Sequence, residues 1–423
     1  MTRRGVILTI TLTVGGLAVG VGVFSIFRHF DYPMAAGEAK QALAAYRAAG
    51  LPVSAKDLPR TDQYESGVAT YLPEFKRLLP ISTRSSWEQN VWAPFFTGKK
   101  LDLARQIVRN RDAIELAVKA SKCEHLDWQT PRSDEYPTRE SPLDSISRAT
   151  QLLAMRGITE AQAGRNQSSL RDFTACFRLQ DRLDEPTSDD MWMLGVENYR
   201  RLCYCIQKAA DYGRNDSAFL KKLAALIEQP IPKYDLTSLI RFEAYNCLAQ
   251  ERGEPLDRQI ENTRTLATVV RIQQLWVEVQ KLVVRFGDDW DGLRRAVDTL
   301  TESWAEEPSE TRAMASYRFP YLLFWPVRNQ RISVRLVTMA LIKALLFEQK
   351  TGQLPTSLQD LPGQWNDPFS SRPLLFKRRQ GQLLIYGVGE NGKDDNGTQS
   401  DFFFTGLGDD ISASCALKRS GGR

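Results

Sequence analysis

The sequence predicts a mainly α-helical protein with an N-terminal transmembrane helix, a body of αα-hairpins in a solenoid-like arrangement, and a small C-terminal α+β module. An uncharged run at 5–27, apolar residues at helical spacing through most of 31–310, and two short apolar segments near residue 380 carry this prediction. The expected divisions are the anchor at 1–30, the body at 31–310, an aromatic and proline-rich connector at 311–327, the module at 328–415 and a tail at 416–423.

The composition is that of a globular protein. Hydrophobic residues make up 42% and charged residues 25% of 423 residues, which favours two or three folded domains over disorder. The segment 387–411 holds six acids and one lysine, a net of −5, so the rest of the chain carries about +10. No basic block has interleaved aromatic residues, and nucleic acid is therefore not an expected partner.

The uncharged segment 5–27 has the length of a membrane span. Its 23 residues, as a helix, would extend about 35 Å, against a hydrocarbon core of roughly 30 Å. Arg3 and Arg4 outweigh Arg28, which favours a cytoplasmic N-terminus and a single-pass protein of the cell membrane with its bulk extracytoplasmic. The alternative is a signal peptide cleaved near Met34-Ala-Ala-Gly.

A GxxxG pattern lies within this segment. Gly16 and Gly20 are four residues apart, and small residues at that spacing allow close helix contact. The pattern predicts a homodimer through this face, although glycine is also common in membrane helices for other reasons. The membrane and an envelope protein are the other expected partners.

The body is predicted as a series of helices separated by turns. Ser168 is expected to cap the N-terminus of one of them, and Pro186 to follow its end. No fixed period recurs, so the sequence indicates no named repeat family. Prolines 320 and 326 predict that the aromatic connector is not helical. The predicted helices are 35–50, 66–79, 101–121, 143–163, 168–183, 189–211, 216–228, 235–252, 258–286 and 288–304.

The module begins with a strongly periodic helix. Apolar residues recur at helical spacing from Arg328 to Gln349, and Gly352 marks the stop. Leu374–Phe376 and Leu383–Tyr386 are predicted as antiparallel strands joined around Gly381.

The order of motifs in the module resembles the C-terminal domain of the type II secretion major pseudopilins. The shared motifs are Thr-Gly-x-Leu-Pro-x-Ser-Leu from Thr351, Asp367-Pro-Phe, Tyr-x-Val-Gly-x-Asn-Gly from Tyr386, and Asp409-Asp-Ile. The resemblance implies a helix packed on a small antiparallel sheet, with calcium bound in the loop after the second strand. It implies the following ligands: the backbone oxygen of Val388 and the side chains of Asn391, Asp394, Asp395 and Asp410.

The composition of that loop also indicates a cation. Its carboxylates repel one another, and a bound cation removes that cost. An EF-hand is excluded, since Gly392 stands at the first ligand position and Phe403 where glutamate is needed. Calcium is therefore the expected cofactor, and a solvated acidic loop is the alternative.

The whole chain resembles membrane-anchored envelope proteins of planctomycete-like bacteria, a family that implies no known activity. P-loop, GxSxG, HExxH and Rossmann glycine patterns are absent from the sequence, which disfavours an enzyme. We therefore expect an extracytoplasmic, membrane-anchored scaffold or binding protein of the bacterial envelope. One alternative is an accessory component of a type II secretion or pilus-like machine. Another is a hydrolase with its site in the helical body, where His125 or paired carboxylates would act.

Overall fold

The chain divides into two compact units. The first unit comprises 1–59, 131–135 and 236–319, and the second comprises 60–130, 136–235 and 320–423. The computed structural model describes these residues: 37–38, 40–51, 71–78, 103–123, 143–183, 189–229, 241, 244, 263–286, 289–303, 321–379, 381–397 and 411–416.

Ten α-helices with defined bounds, one further helical stretch and three strands make up the described architecture. In the first unit, a helical stretch at 40–48 is followed by α8 (Thr263–Phe286) and α9 (Trp290–Ser303). The second unit holds the remaining elements: α1 (Leu72–Leu78), α2 (Leu103–Arg109), α3 (Arg111–Ala120), α4 (Leu143–Gln162), α5 (Asn166–Leu183), α6 (Asp189–Tyr212), α7 (Ser217–Glu228), α10 (Tyr321–Thr351), β1 (Leu375–Arg379), β2 (Gln382–Gly387) and β3 (Ile411–Ala416).

The predicted fold class is wrong as stated, because it includes a transmembrane helix. The described residues form mostly helices with a three-stranded sheet, and none of these helices combines the length and the apolarity needed to cross a bilayer. Helix α10 has 31 residues, but arginines at 328, 331 and 335 interrupt its apolar surface. The segment 5–27, which includes Gly16 and Gly20, lies outside the described residues, as does His125.

Three predicted helix boundaries are wrong. Helix α5 begins at Asn166, so Ser168 lies in its first turn and is not the cap. The predicted helix 101–121 breaks at Asn110, whose φ of −109° and ψ of 24° are not helical. Helix α10 begins at Tyr321 and includes Pro326. Pro326 lies in the second turn, where proline removes one backbone hydrogen bond and crowds the carbonyl four residues earlier, so the packing of α10 outweighs that local cost.

Helices α4, α6 and α10 run parallel to one another. The Ser147 hydroxyl donates to Asn198 Oδ1 at 2.8 Å and joins α4 to α6. On α6 and α10, the guanidinium carbon of Arg331 lies 4.3 Å from the Tyr199 ring centroid, and Gln207 Nε2 donates to Thr338 Oγ1 at 2.8 Å. Both contacts advance in the same direction along the two helices, which makes them parallel.

Helix α5 runs antiparallel to α4, which it meets at Asp172–Arg156 and Cys176–Thr150. It also runs antiparallel to α6, which it meets at Phe177–Tyr199 and Gln180–Gly195, so α4 and α6 are parallel.

Helix α7 runs antiparallel to α10. Arg335 of α10 donates to the carbonyl oxygens of Ile227 and Glu228, each at 2.9 Å, and so caps the C-terminus of α7. At the other end of α7, the Gln349 amide donates to the Arg214 carbonyl. Helix α10 is therefore antiparallel to α7. The first unit's segment 236–319 is inserted in the sequence between these two packed helices.

Two buried ion pairs join separate segments of the second unit. The Arg156 guanidinium of α4 makes two bonds to the fully buried Asp172 of α5, Nε–Oδ2 at 2.8 Å and Nη2–Oδ1 at 2.9 Å. Arg214, just after α6, pairs with the buried Glu348 of α10 at 2.7 Å. Since each pair joins two separate segments, loss of either partner would leave a charge in the interior.

A three-stranded sheet follows α10 in the sequence and packs against it. Its order is β1-β2-β3 and both pairings are antiparallel, with Leu383 facing Arg378 on β1 and Cys415 on β3. The third strand was not predicted. Buried side chains of β2 and β3, including Ile385 and Ala413, join the hydrophobic core to which α10 contributes Leu341. Helix α10 thus packs against α6 and α7 as well as against the sheet.

Candidate functional site

The loop after β2 folds back across one face of the sheet. Lys377 pairs with Leu384 in the β-register, so both side chains stand on this face together with Tyr386. A Cβ atom at Gly397 would lie 2.5 Å from the Leu384 side chain, and φ at Gly397 is +75°. Glycine is therefore required where the loop returns to the sheet.

Asp394 is the centre of polar contacts in this loop. Its Oδ1 accepts from the Tyr386 hydroxyl and from the Asn396 N–H, both at 2.9 Å. Its Oδ2 accepts from Lys377 Nζ at 3.1 Å, and the same ammonium donates to Asn396 Oδ1 at 3.0 Å. The carboxylate thus receives three donors, one of which is a cation.

These contacts change how the groups ionise. Desolvation acts to raise the pKa of Asp394, but the Asn396 N–H, the Tyr386 hydroxyl and the Lys377 ammonium together hold it below its usual value. The pKa of Lys377 is raised by its hydrogen bonds to Tyr386 and Asp394. Burial raises the pKa of the Tyr386 phenol. The triad is therefore Lys⁺, Asp⁻ and neutral Tyr at pH 7.

The Asn391 and Asp395 side chains, two other predicted ligands, bond within the protein. Asn391 Oδ1 accepts from the Lys393 N–H at 2.8 Å, while Asn391 Nδ2 donates to Asp395 Oδ2 at 3.2 Å. Val388 was predicted to bind through its backbone oxygen; its N–H donates to Asp367, a contact that does not involve that oxygen. Asp410 lies outside the described residues.

The described side chains of the loop are engaged with protein donors and do not converge on one point. Calcium needs six to eight oxygen ligands directed at one point, whereas Asn391 Oδ1, both carboxylate oxygens of Asp394 and Asp395 Oδ2 accept from protein donors. Among the residues that the structure describes, acids, histidines and cysteines form no group of three that could hold a metal. Calcium binding stays a prediction, which metal titration must test.

A buried carboxylate beneath the loop was not predicted from the sequence as a functional group. Asp367 is 1% exposed, and its carboxylate accepts from the Phe369 N–H at 3.3 Å and the Ser370 hydroxyl at 2.8 Å. A Cβ at Gly387 would lie 2.8 Å from Asp367 Oδ1 and 2.9 Å from Ser333 Oγ. Burial raises the pKa of Asp367 in spite of its donors. Asp367 therefore anchors the loop from below, at the start of the Asp-Pro-Phe motif.

A second feature lies on α5 and α7. The exposed charged side chains that are described on α5 and on the first two turns of α7 are all cations: Arg171, Arg178, Lys221 and Lys222. We call these four residues the basic face, for their common charge and their position on two helices that pack together. Arg171 and Arg178 are seven residues apart, and this helical spacing is the signal by which the sequence could have placed them on one side.

Comparison with known proteins gives no relative. The chain matches no family model, no curated protein and no solved structure. The resemblance to pseudopilins therefore stays a prediction from motifs.

Proposed function

We propose that this chain is a binding or scaffold protein of the bacterial envelope, and that it holds an anionic partner protein on its basic face. The basic face is the observation that carries the proposal. Stacked helix pairs present extended surfaces to which partners bind. A surface of one charge attracts and orients a partner of the opposite charge.

The packing beneath the basic face supports a scaffold role. Arg156 and Asp172 hold α5 against α4, and Arg335 holds the C-terminus of α7 against α10. The two helices that carry the four cations are therefore held in place by contacts with α4 and α10. A partner loses less conformational entropy when it binds a surface that is already ordered.

Site-specific photo-crosslinking in the intact cells that make this protein tests the proposal. A photoreactive residue in place of Ala225, which is exposed beside Lys222, should yield an adduct with one protein. The variant Lys221→Glu/Lys222→Glu should lose that adduct, because two charges are reversed.

The matched control is Lys119→Glu/Lys122→Glu, which reverses two exposed lysines on and just after α3. This variant should keep the adduct. Equal loss in both variants, or the same adducts from a photoreactive residue at the exposed Val108, would overturn the proposal.

A second candidate is an accessory component of a secretion or pilus-like machine. The packing of α10 against the antiparallel strands β2 and β3, with the acidic loop after β2, supports it. A pilin-type protein in the Ala225 adduct would favour this candidate over a general scaffold. The hydrolase alternative, which would use His125 or paired carboxylates in the helical body, stays a prediction, and His125 lies outside the described residues.

A further inference from the structure

The Lys377 side chain extends from β1 to a loop that follows a different strand. Its ammonium lies 3.1 Å from Asp394 Oδ2, 3.0 Å from Asn396 Oδ1 and 5.1 Å from the centre of the Tyr386 ring. The side chain is only 36% exposed, although lysine is among the most solvated residues. Two oxygen acceptors and an aromatic face thus surround one protein cation.

The same oxygens are those that a loop metal would need. Asp394 has two carboxylate oxygens; Oδ1 accepts from two neutral donors, and Oδ2 accepts from the Lys377 ammonium. A calcium ion at Asp394 would lie where the ammonium lies, or would have to displace it. Two cations beside one carboxylate repel each other, so the two modes exclude one another.

We propose that the Lys377 ammonium is the resident cation of this loop and takes the place beside Asp394 that the sequence pattern assigns to calcium. Lys377 is covalently part of the chain, so its local concentration does not depend on the surroundings. The segment 394–397 is then ordered on the sheet whether or not calcium is present. This inference does not rest on the proposed partner-binding function.

Amide hydrogen exchange of the full chain, measured with and without calcium, tests the inference. The Asn396 amide is the probe, because it donates to Asp394 at 2.9 Å. Its exchange rate in the native protein should be the same in chelator as in about 10 mM calcium, a concentration tenfold above the Kd of the weakest extracellular calcium modules.

Two lysine variants test which lysine supplies the cation beside Asp394. Lys377→Met keeps the length of the side chain and removes the charge, and it should speed exchange at Asn396 by about twofold to fivefold, the range for a partly exposed ion pair. Lys393→Met removes the exposed lysine within the loop and should leave the rate unchanged. In an Asp394→Asn background, Lys377→Met should have a smaller effect, because the charged acceptor is gone and only the bond to Asn396 Oδ1 remains.

Calcium-dependent protection in the native protein larger than the effect of Lys377→Met would overturn the inference. Equal effects of Lys377→Met and Lys393→Met would also overturn it, since the two variants would then report only the net charge of the loop.

Discussion

Replacing Asp172 with asparagine is expected to destabilise the second unit strongly. The Asp172 side chain is 0% exposed, and the Arg156 side chain that it binds is 13% exposed. Removal of one partner from a buried pair costs about 3–5 kcal/mol. In this variant Arg156 still pairs with Glu115 at 2.6 Å. We therefore expect the free energy of unfolding to fall by about 3 kcal/mol, the lower end of this range, and Tm to fall by about 6–12 °C.

Calorimetry of the full chain measures this loss, and two further variants separate its causes. Glu115→Gln should cost less than about 1 kcal/mol, because the Glu115 side chain is 57% exposed. The double variant Arg156→Met/Asp172→Leu should recover most of the stability lost in Asp172→Asn, since apolar side chains of similar size replace buried pairs at little cost. Equal losses from Asp172→Asn and Glu115→Gln, or a double variant less stable than Asp172→Asn, would refute the reasoning.

Three more predictions concern single side chains, each followed by Tm. Gly387→Ala should cost about 1–3 kcal/mol, because the new methyl group would crowd Asp367 and Ser333. Burial raises the pKa of Asp367, so the ionised carboxylate destabilises the fold and protonation removes that cost. The Tm of the native protein minus the Tm of Asp367→Asn should therefore grow as pH falls from neutral toward about 4. Asp216→Ala should cost about 1 kcal/mol, since Asp216 Oδ1 caps α7 by accepting from the Phe219 N–H at 3.0 Å. That bond lowers the pKa of Asp216, so the loss should be full at neutral pH and fade as pH falls below about 4. No change of the Asp367 difference with pH, or a constant loss from Asp216→Ala in acid, would contradict these assignments.

Helix bounds could be predicted from the sequence where one face of the helix is buried, because apolar residues then recur at helical spacing. The predicted helices 189–211 and 216–228 agree within one residue with α6 and α7, because Leu220, Leu223 and Ile227 repeat at the spacing of a single buried face. The start of α5 could not be predicted from the local sequence, because its first residue makes a contact with a distant part of the chain. Asn166 Nδ2 donates to Asp216 Oδ2 at 2.8 Å, a contact between residues fifty positions apart.

The third strand escaped prediction for a different physical reason. Residues 411–416 alternate small side chains, and such a pattern has little intrinsic preference for a strand. These residues pair because β2 offers them a partner edge and α10 covers their buried side. The contact of Lys377 with Asp394 was equally hidden, since it depends on the loop crossing back over β1 and β2.

The position of α10 between helices and sheet limits how this protein can evolve. A gene fragment that encoded only 321–423 would transfer a helix whose contacts with α6 and α7 were missing, and its apolar side would face water. Transfer of the sheet to another protein would therefore need new packing for the side of α10 that α6 and α7 cover. The connection from α7 to α10 behaves differently, because it already carries 236–319 as an insertion. New sequence can enter the gene there without separating residues that pack together.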